Sequence, residues 1–128
     1  MNDPVALTLA VGHFLLGSLF VVAGIRHMFI LPTLVGALVV RGLPFAWSLL
    51  LVGTAFQIIA GVSLAVGLYV PFAALGLVGF TVVASVLMLD FWNQDGARRA
   101  ASINAWQSNA AVVGGLLLAA TQAMQRTL

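Results

Sequence analysis

The sequence predicts an all-α, polytopic membrane protein: a four-transmembrane-helix bundle with one short apolar helix between the first and second spans. Of its 128 residues, 62% are hydrophobic and 6% charged, with a mean hydropathy of +1.16. An ordinary soluble domain carries about 25% charge, so a soluble enzyme, a disordered tail and a nucleic-acid module are excluded. The uncharged residues fall into runs of about 20, the length that crosses roughly 30 Å of hydrocarbon at 1.5 Å per residue. The remaining charge, all of it Arg and Asp, lies between or beyond those runs. The pI of about 10.6 reflects that small imbalance rather than a basic face. Without Cys there is no disulfide and no thiolate ligand.

The chain reads as one integral membrane domain over 1–128. The first span is 5–25, with Pro4 at a helix-start position and Arg26 and His27 closing it. Asp3 stands where a secretory signal carries basic residues, so this span is expected to stay in the mature protein. Residues 28–40 are apolar on every side but would rise only about 20 Å and contain Pro32. They suit a half-membrane or interfacial helix covered by the bundle or by a partner. Read instead as a fifth span, they would put the termini on opposite faces. The second span, 46–66, is bracketed by Trp47 and Tyr69, which suit headgroup level. The third, 71–89, follows after only 67–70, so the two form an antiparallel hairpin. The fourth, 102–123, begins polar and ends in Gly, Leu and Ala. With four spans, Arg26, Arg41, Arg98 and Arg99 share one face against Arg126 on the other. The positive-inside rule then places the first and third loops in the cytoplasm and both termini outside.

Each polar residue within a span is costly and needs a reason. Gln57 sits mid-span with Gly53 and Gly61 on its face, a pattern that lets another backbone approach while the amide bonds across the interface or reaches a ligand. Asn104, Gln107 and Ser108 share one face of the fourth span, with Asn109 beside them. They satisfy the third loop or offer donors to a polar head. Thr81 and Ser85 are expected to return hydroxyl bonds to their own helix. His13 and His27, 14 apart, would lie about 21 Å from each other on one helix, too far to share a metal or form an intrachain bis-His haem site. His13 reads as a packing residue. No carboxylate lies inside a span, so the relay of a proton pump is missing. At the membrane edge, Asp90 is placed to pair with Arg26 or Arg98, with Trp92 beside it. That edge is either ordinary interfacial anchoring or a shallow pocket for the head of a quinone or another amphiphile. The candidate binding set is Arg26, His27, Gln57, Asp90, Trp92, Asn104 and Asn109, with no metal ligands and no covalent cofactor.

Leu15-Leu-Gly17, Ala23-Gly-Ile-Arg26, Arg41-Gly-Leu-Pro44, Gln57-Ile-Ile-Ala-Gly61 with Leu64 and Gly67, Asp90-Phe-Trp-Asn93, Asn109 and Gly114-Gly-Leu-Leu117 follow in the order and spacing of a known family. Over nearly its whole length the chain resembles the DoxX family of small bacterial and archaeal four-helix membrane proteins. The resemblance implies a cytoplasmic-membrane subunit that works with redox enzymes, as in thiosulfate:quinone oxidoreductase or in complexes that counter oxidative stress. It also adds Asn93 to the binding set and quinone as the expected ligand. Gln57 departs from the family's common Glu, which removes a titratable group, and Arg26 departs from its common Lys. Partner redox subunits or a homo-oligomer are expected, besides membrane lipid. A non-catalytic assembly protein is the second reading. A small-solute carrier is the third, disfavoured by the missing intramembrane charge and inverted repeat.

Overall fold

The computed structural model describes the backbone of residues 3–127 and the side chains of residues 3–125. Among the described residues the regular structure is helical: α1 (Pro4–Phe29), α2 (Leu31–Val40), α3 (Ala46–Val66), α4 (Val70–Met88), a 3-10 turn (Phe91–Asn93) and α5 (Gly96–Thr127). Asp3 caps α1 by accepting a hydrogen bond from the Val5 amide at 3.0 Å, with Pro4 next in line. Nothing breaks the helix at Arg26, so α1 runs past the expected boundary to Phe29. It stops at Ile30, a single non-helical residue ahead of Pro32. Arg26 and His27 therefore belong to the last turn of α1, where a cation suits the helix dipole, and not to a loop.

The bundle runs antiparallel at each step. Gly17 of α1 meets Gly61 and Ala65 of α3, while Gly24 meets Gln57 and Ile58 further along. Lipid tails are as apolar as leucine, so close backbone approach and interhelical hydrogen bonds, rather than hydrophobicity, join helices here. The hairpin between α3 and α4 closes at Gly67 (φ 80°), where the Leu68 and Gly67 amides bond back to the carbonyls of Ser63 and Leu64. Phe56 of α3 covers Phe80 of α4 with ring centroids 6.4 Å apart. A core of Phe20, Leu64, Ala74, Leu77, Leu116 and Ala120 then joins α1, α3, α4 and α5.

Residues 31–40 form α2, which at about 15 Å is too short to cross a membrane. It buries Leu31, Val35 and Leu38 against Ala46 of α3 and Leu87 and Met88 of α4. The end of α1 and the start of α3 lie at one end of the bundle, and the start of α1 and the end of α5 share the other. The fifth-span reading is thereby overturned.

Residues 102–123, read from sequence as the fourth span, lie within the 32-residue α5, which packs alongside α4. Among the described residues, α1, α3 and α4 with its continuation to Asn93 are the helices long and apolar enough to cross a membrane by length and composition. The polar residues Asn104, Gln107, Ser108 and Asn109 dilute the first half of α5.

Candidate functional site

A cavity of about 310 Å³ opens between α1, α3, α4 and α5 at the end that α2 covers. Its polar lining is His27, Gln57, Thr81, Ser85 and Asn109. A second space of about 200 Å³ adjoins it beneath α2 and shares His27, Leu34 and Phe80 with it.

Gln57 is 2% exposed and orders the site. Its Nε2 donates to the Phe20 carbonyl of α1 at 3.1 Å. A carbonyl only accepts, so the amide can point only this way, and Oε1 is left facing His27 Nδ1 at 3.2 Å. Oε1 also only accepts, so Nδ1 carries the hydrogen. With Nδ1 donating to Gln57, the imidazole keeps Nε2 for a second hydrogen bond. On the facing wall, Asn109 Nδ2 donates to Ser85 Oγ at 2.8 Å. Thr81 Oγ1 is buried with no hydrogen-bond partner among the described residues. The site holds an acceptor at His27, an uncommitted hydroxyl at Thr81 and apolar walls between them.

The sequence-predicted residues divide. His27, Gln57 and Asn109 come together in the cavity. Arg26, Trp92, Asn93 and Asn104 are exposed, and Trp92 stacks edge-on against Phe91 at 5.3 Å. Asp90 pairs with neither Arg26 nor Arg98. Its partner is Arg41, at 2.6 Å, because the end of α2 lies beside the end of α4. Arg41 also donates to the Leu87 carbonyl, one of the acceptors an α-helix leaves open at its C-terminus. Gln94 donates to Asp90 at 2.9 Å and accepts from Ser102 at 2.5 Å, while Trp106 Nε1 donates to the Leu89 carbonyl at 2.7 Å. The third loop is therefore satisfied by Ser102 and Trp106, not by the exposed Asn104, Gln107 and Ser108. Thr81 and Ser85, expected to bond their own helix, face the cavity instead. Their i, i+4 spacing placed them on one face, but only the packing of α4 against α5 shows which way that face turns.

A family model described as DoxX matches residues 8–90. The chain belongs to the DoxX family. No curated protein and no solved structure matches it. Together with the apolar helices, membership makes this a membrane protein. The part matched to DoxX carries His27, Arg41, Gln57, Thr81, Ser85 and Asp90, so the His27–Gln57 pair and the Arg41–Asp90 pair both lie within the DoxX core. Trp92, Asn93 and Asn109 lie beyond it.

Proposed function

We propose that this DoxX protein is a membrane subunit of a quinone-linked redox complex in the cytoplasmic membrane, and that the His27 cavity receives the quinone head. One observation carries the reading: a buried hydroxyl and a half-buried imidazole line the same apolar-walled space, Thr81 Oγ1 with no hydrogen-bond partner among the described residues and His27 oriented by Gln57 through Nδ1. A quinone presents carbonyls that need donors, and its reduced form presents hydroxyls that need acceptors. The residues present fit both forms, with Asn109 and Ser85 closing the far wall. When bound, such a group supplies two-electron carrier chemistry. The chain itself orients the head, excludes water and offers it hydrogen bonds from Thr81 and His27. The electrons are supplied by a partner subunit, and the described residues hold no group of metal ligands. The topology expected from the arginines puts this end of the bundle on the cytoplasmic side, although Arg41 is committed to Asp90 and weighs less in that count.

Gentle-detergent purification from native membranes, with extraction of bound quinone and mass spectrometry of co-purifying proteins, tests the reading. Recovery of quinone with a dehydrogenase or oxidase subunit is the expected result. A clean homo-oligomer carrying only phospholipid overturns it. In the complex, His27→Phe is expected to lower retained quinone at least 10-fold, and Gln57→Leu to do nearly as much by releasing the imidazole. Thr81→Val is expected to separate binding from stability. It removes a buried hydroxyl with no partner among the described residues, so thermal stability holds or rises while quinone retention falls about 5- to 10-fold, for a hydrogen bond worth about 1 kcal/mol or slightly more. Equal loss of stability and retention would mean that Thr81 only packs.

A further inference from the structure

The opposite end of the bundle, where α1 begins, α5 finishes and α3 turns into α4, carries a second polar station. Two cavities of about 480 and 750 Å³ lie on either side of the first turns of α1, and both are lined by Leu9, His13 and Gln122. Their remaining walls are mostly apolar, with Leu118 and Ala119 on one side and Val70 and Phe72 on the other. Gln122 Oε1 is buried and meets no hydrogen-bond donor among the described residues. A buried acceptor left unmade costs about 1–3 kcal/mol, and in hydrocarbon no bulk water relieves it. A leucine or methionine would serve packing alone at this position, which follows Leu116–Ala120 on the same helix, so the amide needs another explanation. Gln122 lines both cavities, and a donor brought there by a ligand would answer its unmatched oxygen.

The chemistry of the two cavities specifies the ligand. A carbonyl acceptor beside an imidazole, in grooves walled by aliphatic side chains, fits a molecule with an N–H or O–H head and an apolar tail, which the bilayer itself supplies at high concentration. We propose that this crevice binds a phospholipid whose headgroup carries hydrogen-bond donors, with Gln122 Oε1 accepting from the head and the chain lying along the apolar walls. The site is separate from the His27 cavity: His13 and His27 are about 21 Å apart along α1, toward opposite ends of the bundle. It does not depend on the quinone reading.

The test uses the full chain in vesicles of equal phosphatidylethanolamine, phosphatidylglycerol and phosphatidylcholine, followed by mild extraction and native mass spectrometry. The first two heads carry N–H or O–H donors and the third has none, so shared features such as the phosphate and acyl chains cancel. The wild type is expected to retain ethanolamine or glycerol lipid several-fold over choline lipid, with the favoured head showing whether ammonium or hydroxyl is the donor. Gln122→Leu should return retention to the vesicle ratio, while Gln57→Leu keeps the bias. A thermal readout runs beside it: Gln122→Leu lowers Tm where donor lipids are present and raises it in pure phosphatidylcholine, because there the substitution only removes an unsatisfied acceptor. Unbiased retention by the wild type, or a bias that survives Gln122→Leu, overturns the proposal.

Discussion

Gly17→Leu is expected to prevent the bundle from assembling, while Gly79→Leu leaves it folded. A side chain at position 17 would strike the Ala65 amide nitrogen and the Gly61 carbonyl oxygen of α3, whereas one at position 79 meets nothing. Backbone atoms within two packed helices cannot move aside singly, so α1 and α3 must part along their length. The ordinary overpacking cost of about 1–3 kcal/mol is then a lower bound. Separation also breaks the Gln57 bond to the Phe20 carbonyl, leaving a buried amide without its acceptor. Gly17→Ala alone should lower Tm clearly, and the leucine variant should elute as aggregate in a mild detergent. Equal Tm for the alanine variants at 17 and 79 would show that α1 and α3 do not approach as closely as the structure has them. Gly61→Leu is expected to behave like Gly17→Leu, since a Cβ there would lie 2.9 Å from the Gly17 carbonyl.

The second large effect is at Arg41. Its guanidinium bonds the Asp90 carboxylate at 2.6 Å and the Leu87 carbonyl, tying α2 to the end of α4. Both side chains are largely covered, at 24% and 14% exposure, so hydrogen bonds to the charged group belong near the upper range for such bonds, about 1.5–3 kcal/mol. Arg41→Leu should lower Tm clearly, because it takes the counter-charge from the Asp90 carboxylate, leaving Gln94 as a neutral donor to it, and opens the helix-terminal Leu87 carbonyl. Asp90→Leu should cost less, since Arg41 keeps the carbonyl and its guanidinium can turn toward the interface. The double variant is expected to lose less than the two singles together. Hydrogen exchange locates the damage: in Arg41→Leu, amides of α2 should exchange faster while those of α3 do not. Uniform exchange across the chain would make Arg41 a global rather than a local fastening. The His27 cavity should widen in the same variant, since α2 supplies Leu34 to its wall.

The helices were legible in the sequence because their causes are local. Runs of about 20 apolar residues, Pro4 and Pro71 near helix starts, and Gly67 at a turn place α1, α3 and α4 to within a few residues. Gln57 between Gly53 and Gly61 announced a close helix contact, and the contact with α1 is there. What stayed hidden depends on rotation and on partners distant in the chain. Arg41 and Asp90 are 49 residues apart and meet only because α2 folds back beneath α4, so Arg26 and Arg98 were equally reasonable partners by sequence. By sequence His27 only closes the first span, and its place beside Gln57 in a cavity follows from the packing of α1 against α3. Thr81 and Ser85 were assigned to their own backbone because spacing places residues on a common face without saying what that face meets. Hydrophobicity and helix-breaking residues act over a turn or two and so set the spans. Which polar groups share a buried space is decided by the rotation of each helix about its axis, and that rotation is set by the packing of all the helices together.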